Sequence, residues 1–455
     1  MSKLPIGWSA TTLGELADWG SGGTPSRSEP NYYGGSIPWI KSGELNTRYV
    51  MDTEEHITEA ALNGSSAKLF PAGSVAIAMY GATIGKTAIL GVDASTNQAC
   101  AVGIPIEGLI EKEFLYRLLQ NEKKAFIEKG KGGAQPNISQ AVIRAHEVGM
   151  PGLAEQTRIV QKIDELLAQV DTLRARIDAV PALLKRFRQT VLSAAYSGSL
   201  TEEWRVLEKR NREISEEWEK VALGTICNTA FDGPFGSKLK SDDYTDEGVR
   251  VVRLENIGHL RFLGEKKTFI GEPKFFDLYR NKLEPGDVIF SSFVDEEIRV
   301  CQLPEGEEVF INKADCFCLR LNPELANASF VMYMLAARDT YLQIREAVHG
   351  ATRPRINLGF LKSFEMRIPS LDEQAEAVTR IRYLFACADQ INDKVRGAKV
   401  RIDSLTQSIL AKAFRGELVP QDPNDEPASE LLARIKAQRA ATPKAKRVSK
   451  KSAVV

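Results

Sequence analysis

The chain of 455 residues contains one long internal repeat. Residues 132–156 (GGAQPNISQAVIRAHEVGMPGLAEQ) align with residues 350–374 (GATRPRINLGFLKSFEMRIPSLDEQ) at an offset of 218. The same offset continues without a gap through residues 191–200 and 409–418. A duplication of this length predicts a fold with two related halves. The earlier part of each half aligns only weakly, so we expect the divergent parts to do different jobs and the well-preserved parts to do the same job twice.

The well-preserved parts have the apolar pattern of long helices. Apolar residues recur at alternating steps of four and three, which is the heptad pattern of a coiled coil. The predicted seam comprises Ile163, Leu166, Val170, Leu173 and Ile177 in the first half and Ile381, Leu384, Ile391, Val395 and Ile402 in the second. The order globule, helix, globule, helix favours antiparallel pairing of the two seams, which would put the globules at opposite ends of a rod. One face of an ordinary helical bundle is the alternative.

Local signals predict where these helices begin and end. Ser370 with Glu373 has the spacing of a capping box, and Gly198 and Gly416 are placed as helix exits. Pro181 predicts a kink or a split in the first helix.

Short strand-like segments, Gly-rich turns and one helix fill each divergent part. The predicted fold class is α+β, with two α/β globular domains in tandem, each followed by a long helix. The predicted boundaries are globular domains at 1–150 and 212–368, helical regions at 151–205 and 369–418, and a mobile basic tail at 419–455.

The net charge of zero hides an asymmetry. From Arg434 onward there are eight Lys or Arg and no acidic residue, so the rest of the chain carries a formal −8. A large uniformly basic face is not expected. Any DNA binding must therefore use local patches, or a partner must supply part of the positive charge.

Residues 78–87 (AMYGATIGKT) end like a phosphate-binding loop. That motif requires a glycine where Tyr80 stands, and Gly81 is one residue too close to Gly-Lys-Thr. The repeat counterpart, residues 294–300 (VDEEIRV), keeps neither the glycines nor the threonine. The strand-like flanks instead predict a hairpin with an exposed Lys86.

Other signatures of catalysis fail as well. The four histidines lack metal-ligand spacing, and Cys316 and Cys318 have one intervening residue within an apparent strand, which favours a buried pair over a metal site. The six scattered cysteines and the lack of a signal peptide or a long apolar run predict a cytoplasmic protein. Binding without catalysis is the expected function. A coiled-coil scaffold that binds only protein and an enzyme with an unrecognised site are the alternatives.

Two Gly-rich loops, at 20–35 and 231–244, suit close approach to a ligand. Basic side chains near predicted strand ends could contact phosphates or guanine. These candidates are Lys41, Arg48, Lys86, Lys238, Lys240, Arg250, Arg253, Arg299, Arg353 and Arg355. An ordinary surface charge is the alternative for any one of them. Ser139 and Asn357, at the same repeat position, are predicted to be helix caps.

The duplicated stretches PGLAEQTRIVQKIDELLAQVD and PSLDEQAEAVTRIRYLFACAD resemble the specificity subunit of type I restriction–modification enzymes. MYGATIGKTAIL and GPFGSKLK are similar to stretches of that family's target-recognition domains. The resemblance implies that each globular domain reads one half of a bipartite double-stranded DNA site, while the antiparallel coiled coil sets the spacer.

The same resemblance implies the partners. Two modification subunits would dock on the helices and carry the S-adenosylmethionine chemistry. Two restriction subunits would carry the ATP-dependent and Mg-dependent functions. No cofactor, no metal and no catalytic residue is expected on this chain.

Overall fold

The structure, a computed structural model, describes residues 4–130, 136–209, 218–348 and 354–441. The chain forms two compact units. The first unit comprises Met1–Ile177 and Gly397–Val455, and the second comprises Asp178–Arg396. This division cuts both long helices and places the C-terminal part of the chain with the first globular domain.

The described residues of the first unit form three sheets. An antiparallel pair joins Ser9–Thr12 to Glu147–Met150. A five-stranded sheet has the order Ala17–Ser21, Cys100–Pro105, Val75–Ala78, Thr87–Leu90 and Tyr49–Val50. A four-stranded sheet has the order His56–Ile57, Tyr33–Ile40, Ala94–Thr96 and Leu69–Phe70. The α-helices of this globule are Leu13–Leu16, Glu59–Gly64, Lys112–Lys129 and Gln140–Arg144.

The second unit repeats this plan. Glu219–Ala222 pairs with Glu365–Ile368. A four-stranded sheet has the order Cys227–Phe231, Cys316–Leu321, Val288–Val294 and Ile298–Gln302. A five-stranded sheet has the order Tyr244–Thr245, Phe269–Ile270, Val249–Val252, Phe310–Asn312 and Lys282–Leu283. The α-helices of this globule are Glu272–Asp277, Ala328–Ala336, Arg338–Ala347 and Leu358–Ser363, while Glu202–Lys209 precedes it.

Each half ends in one long helix. The first runs over Leu153–Tyr196 and the second over Leu371–Phe414. The first helix continues through Pro181, so the predicted split is wrong. Pro181 lies at an exposed position of the helix, where the one backbone hydrogen bond that proline cannot donate is lost without interrupting the helix.

The two helices pair antiparallel in each unit. In the first unit, Ile159 and Ile163 share a core with Leu410 and Ala413, while Arg174 Nη2 lies 2.8 Å from Asp403 Oδ1 further along. In the second unit, Val191 and Ala195 share a core with Ala377 and Ile381, and Arg188 Nη2 lies 2.6 Å from Asp389 Oδ1. These pairings confirm the predicted α+β fold with an antiparallel coiled coil.

The predicted seam is buried unevenly. Ile163, Val170, Ile381, Val395 and Ile402 are buried, and Leu166, Ile177 and Leu384 are half-buried. Leu173 and Ile391 remain 45% and 46% exposed, contrary to the prediction. A pair of helices covers only a narrow stripe of each surface, so not every seam position becomes fully buried.

The start of each long helix repeats one hydrogen-bonding arrangement. The indole N–H of Trp8 donates to Glu155 Oε1 at 3.0 Å, and that of Trp218 donates to Glu373 Oε1 at 3.2 Å. Burial raises the pKa of Glu155, while the Trp8 hydrogen bond opposes that shift. The glutamate and tryptophan of each half therefore join its first strand to its long helix.

The glutamine beside each of these glutamates bridges the same segments. Gln156 donates to the carbonyls of Leu109 and Pro151 at 3.0 and 3.1 Å. Gln374 donates to the carbonyl of Pro369 at 2.9 Å and accepts from the Asn327 amide at 2.8 Å. Both glutamines are fully buried. The recurring Glu-Gln pair of the sequence thus fixes the globule of its own unit to the helix.

The capping predictions are confirmed in part. Ser139 and Asn357 accept from amides three residues on, at 3.2 and 2.8 Å, and cap short helices as expected. Ser370 Oγ accepts from the amide of Glu373 at 3.4 Å. The Glu373 side chain does not complete the capping box, because it is turned to Trp218 and Arg205. Gly198 and Gly416 end the helices with φ of 79° and 72°.

The hairpin and cysteine predictions are confirmed. Val75–Ala78 and Thr87–Leu90 form an antiparallel hairpin around a 3₁₀ turn at Gly81–Thr83, so no helix follows the Gly-Lys-Thr. Cys316 and Cys318 are buried in one strand, where burial raises the pKa of both thiols. Buried thiols of this kind are inert core residues.

The C-terminal region differs from the predicted mobile tail. Residues Ala428–Ala441 form a helix that buries Leu431, Leu432 and Ile435 in the core of the first unit. Lys436 Nζ lies 2.7 Å from Glu15, and Arg439 Nη2 lies 2.7 Å from Asp18. The apolar residues at helical spacing outweigh the basic composition that suggested mobility. Residues 442–455 of the predicted tail lie outside the described residues.

Candidate nucleic-acid interface

A Gly-rich loop closes on a strand end in the first unit. The amide of Gly23 donates to the Thr96 carbonyl at 2.9 Å. A Cβ on Gly22 would lie 2.2 Å from Thr96 Oγ1 and 2.3 Å from the Asn97 carbonyl oxygen. Only glycine permits this approach. The loop is therefore held against residues 96–97.

The second unit builds the same arrangement. A Cβ on Gly233 would lie 2.1 Å from the carbonyl carbon of Lys313. The Lys313 amide donates to the Val252 carbonyl at 2.9 Å, as the Asn97 amide donates to the Ile40 carbonyl at 2.9 Å. The two Gly-rich loops are therefore structural counterparts, as their sequences suggested.

A crossing segment completes each arrangement. In the first unit, the Met79 carbonyl accepts from Ile138 at 2.9 Å, and the Gly81 amide donates to Pro136 at 2.9 Å. In the second unit, the Ser292 carbonyl accepts from Ile356 at 3.0 Å, and the Val294 amide donates to Pro354 at 3.0 Å. Asn137 thereby pairs with Tyr80, and Arg355 with Phe293.

We call the linked segments of each unit its loop edge. The loop edge of the first unit comprises residues 20–27, 79–81, 96–99 and 136–138. The loop edge of the second unit comprises residues 231–240, 292–294, 312–315 and 354–356. The amides of Met79 and Ser292 donate to Ala99 and Asp315 at 2.8 and 2.9 Å, which joins the segments.

Lys41 and Arg253 occupy equivalent positions beside these edges. Each follows a strand and opens a 3₁₀ turn, and their amides donate to Glu44 Oε2 at 2.7 Å and Asn256 Oδ1 at 2.9 Å. The hydrogen bond to Glu55 raises the pKa of Lys41, so this lysine is charged at neutral pH. Arg253 Cζ lies 5.8 Å from the centroid of the Tyr244 ring.

Arg27 and Lys313 are cations that sequence reasoning missed. Arg27 Cζ lies 4.3 Å from the Tyr33 ring centroid, and Arg27 Nη2 lies 2.6 Å from Glu55. The Lys313 ammonium donates to the Tyr244 hydroxyl at 2.6 Å. Each pairs a cation with an aromatic ring, as nucleic-acid surfaces do. For Arg27 the sequence signal was its place in the Gly-rich loop at 20–35. Lys313 carried no such signal, because its position opposite the second loop depends on the fold.

Two arginines among the candidates serve the interior. Arg48 Nη1 lies 2.8 Å from Asp164 Oδ2 on the first long helix. Arg250 is 4% exposed, pairs with Glu308 at 2.9 Å, and lies beside two phenylalanine rings. Neither guanidinium is therefore a free cation. The sequence could not show this, because a position near a strand end says nothing about the carboxylate that the fold brings opposite it.

The remaining candidates have varied surroundings. Lys86 Nζ donates to Asn46 Oδ1 at 2.7 Å and is half-buried rather than exposed, and Arg299 Nη1 donates to the Leu254 carbonyl at 3.1 Å. Lys238 and Lys240 are exposed on the loop edge of the second unit. Arg353 lies outside the described residues. Arg355 is exposed, contacts Phe293 and forms an ion pair with Asp315.

The described residues contain no group of three or more His, Cys, Asp or Glu side chains able to hold a metal ion. Within the same residues, no helix is both long and apolar enough to cross a membrane.

The type I restriction modification DNA specificity domain model matches the chain twice, at residues 5–182 and 215–396. The chain belongs to this family. The matches fall on the two halves of the repeat and include both loop edges.

Curated relatives match over nearly the full length. The EcoDI specificity subunit of Escherichia coli is 31% identical, with 99% of each chain covered. The EcoKI specificity subunit of Escherichia coli strain K12 is 30% identical, again with 99% of each covered. These relatives are named specificity subunits, in agreement with the prediction of a DNA-recognition chain without catalysis.

Solved structures share the fold. The HsdS subunit from Thermoanaerobacter tengcongensis has a TM-score of 0.60 at 19% identity, covering 91% of this chain and 98% of that one. A chain from a study of assembly and conformational transition in the type I R-M system has a TM-score of 0.62 at 18% identity, covering 92% and 100%.

Proposed function

We propose that this specificity subunit reads a bipartite double-stranded DNA site, one half with each loop edge. The duplicated loop edge is the observation that carries this proposal. The two edges share a backbone but present different side chains, such as Asn97 and Lys313 at one equivalent position. Side chains of different hydrogen-bonding capacity read different bases. The two half-sites should therefore differ in sequence.

We propose that the paired long helices set the length of the spacer between the half-sites. A helix of 44 residues is about 66 Å long at about 1.5 Å per residue. Deleting residues 171–177 together with 400–406 removes one heptad from each helix and removes Arg174 along with its partner Asp403. The seam stays in phase because whole heptads are lost.

The expected result is a spacer shortened by about three base pairs, since about 10 Å of helix is lost and each base pair adds about 3.4 Å. The measurement is a map of methylated adenines in cells that express the variant with its modification subunit. A matched deletion of five residues per helix takes the seam out of its alternation of three- and four-residue steps and should abolish methylation. Unchanged spacing in the heptad variant would contradict the ruler.

We propose that two modification subunits dock on the long helices. Exposed apolar side chains on the helices support this, because such patches mark protein interfaces. They include Leu173, Val400 and Leu405 in the first unit and Leu183, Tyr383 and Ile391 in the second. The modification subunits would carry the S-adenosylmethionine chemistry, and two restriction subunits would carry the ATP- and Mg-dependent steps.

Substitution of Tyr383, which is 68% exposed, tests the docking surface. Tyr383→Glu should reduce co-purification of the modification subunit, because a charge would be buried in the interface. Lys394→Glu places the same charge on an exposed polar position of that helix and is the control. Equal co-purification of both variants would contradict docking at this surface.

A further inference from the structure

Arg355 is held in one orientation on the loop edge of the second unit. Its backbone pairs antiparallel with Phe293. Its guanidinium forms an ion pair with Asp315, and Cζ lies 5.5 Å from the centroid of the Phe293 ring. The side chain is nevertheless 47% exposed. One carboxylate and one aromatic ring thus fix the guanidinium, while part of it faces solvent.

Asp315 is itself fixed by the fold. Its φ of 70° is left-handed, a conformation that only one other non-glycine residue shares among those described. Its Oδ1 accepts from the Ser292 hydroxyl at 2.8 Å, and its amide donates to Asp232 Oδ1 at 3.0 Å. Aspartate enters the left-handed region more readily than most residues, and these two hydrogen bonds hold it there. The carboxylate that orients Arg355 is therefore rigidly placed.

This arrangement distinguishes base reading from phosphate binding. A phosphate contact requires a net positive charge, and Asp315 offsets the charge of Arg355. A guanidinium whose plane is fixed presents its N–H groups in the fork that matches the O6 and N7 acceptors of guanine. The Arg355 guanidinium thus has a fixed orientation and an offset charge, a combination that suits a base contact better than a phosphate contact.

We propose that Arg355 reads the major-groove edge of one guanine–cytosine pair in the half-site of the second unit, with Asp315 as its positioning residue. This inference rests on the proposed function. At the equivalent position the first unit has Asn137, paired with the 44% exposed Tyr80. An amide does not supply the guanidinium fork, so the effect of Arg355 should be confined to one half-site.

The test maps methylated adenines in a genome carrying the full-length chain with its modification subunit. Arg355→Ala should relax the motif at one position of one half-site, with discrimination falling about tenfold to a hundredfold. Arg355→Lys keeps the charge but not the fork and should relax the same position. Arg261→Ala is the matched control, because Arg261 is an exposed arginine of the same unit that pairs with Glu265.

Asp315→Asn tests the positioning role. Asparagine tolerates the left-handed conformation and can still accept from Ser292, but it lacks the charge that holds Arg355. The variant should relax the same position less than Arg355→Ala at an unchanged melting temperature. A structural role alone would lower the melting temperature and leave base discrimination at that position intact.

The outcomes separate this inference from the proposed function. A wild-type complex without a bipartite motif would overturn the proposed function. A bipartite wild-type motif that Arg355→Ala leaves unchanged would overturn the inference alone. Uniformly weaker binding by Arg355→Ala across all sequences, with a salt slope smaller by about one, would also overturn it, because that result identifies a phosphate contact.

Discussion

The two units share one set of hydrogen bonds between the globule and the long helix, and each unit has further contacts of its own. Both use a tryptophan–glutamate hydrogen bond and a buried glutamine. In the second unit Glu373 also accepts from Arg205 Nε at 3.1 Å and from Thr201 at 2.6 Å. In the first unit the additional charged contacts lie elsewhere, such as those of Asp164 with the arginines Arg48 and Arg117. The two units thus share the hydrogen bonds of the glutamate and the glutamine, while the further charged contacts differ between them.

The loop edges of the two units resemble each other in backbone structure but not in side chains. Their backbone hydrogen bonds correspond closely, while the side chains at equivalent positions differ in charge and shape. A scaffold fixed by backbone contacts and close glycine packing tolerates exchange of its exposed side chains. The repeated architecture is therefore compatible with two different recognition surfaces, one on each unit.

The largest expected effect comes from exchanging residues 1–150 for the corresponding domain of another family member. One half-site should change completely and the other should stay as it was, as read from maps of methylated adenines. The exchange should keep Glu15 and Asp18, which pair with Lys436 and Arg439 of the C-terminal helix. A change in both half-sites would mean that the units do not read independently.

Removing the shared glutamate should affect the units unequally. Glu373→Ala removes the carboxylate that pairs with the partly buried Arg205 and accepts from the Trp218 N–H, a loss of about 3–5 kcal/mol. Arg205 keeps the Gly198 carbonyl as an acceptor at 3.0 Å. Glu155→Ala chiefly removes the acceptor of the Trp8 N–H, a loss of about 1–3 kcal/mol. Denaturant unfolding of both variants measures the difference. Equal losses in the free energy of unfolding would show that the tryptophan–glutamate hydrogen bond alone stabilises the contact between globule and helix in both units.

The C-terminal helix should stabilise only the first unit. Leu431 is fully buried there, so Leu431→Ala should cost about 2–5 kcal/mol. Hydrogen exchange should become faster in the first unit and stay unchanged in the core of the second. Ala433→Ser, at an exposed position of the same helix, is the control. Protection lost in both units would contradict this assignment.

The smallest expected effect concerns pH. Burial opposes ionisation of Asp164, but hydrogen bonds from Arg117 and Arg48 prevail and lower its pKa. A lowered folded-state pKa contributes stability that is present above the unfolded value, about 3.9, and lost as pH falls through the folded value. Asp164→Asn should therefore flatten the acid side of the stability profile of the first unit. The free energy of unfolding, measured with urea, would be compared between pH 5 and pH 3. A fall with pH as steep in the variant as in the wild type would contradict this role.

Much of this protein could be predicted from repetition. The offset of 218 residues located both long helices, the heptads predicted their pairing, and the strand-like flanks of residues 78–87 predicted a hairpin. These features depend on periodicity and spacing along the chain, and both can be read directly from neighbouring residues of the sequence. The match of Glu155 and Gln156 with Glu373 and Gln374 was visible as well, although their hydrogen-bond partners were not.

The tertiary structure alone decided which cations are exposed. Arg48, Arg250 and Arg355 look alike in sequence, yet only Arg355 lies exposed on a loop edge. Their partners Asp164, Glu308 and Asp315 lie 116, 58 and 40 residues away in the chain, so no local pattern could connect them. The sequence by itself determined the duplicated scaffold, because helical periodicity is local. The character of each charged side chain depends on what folding brings opposite it, and only the three-dimensional arrangement supplies that partner.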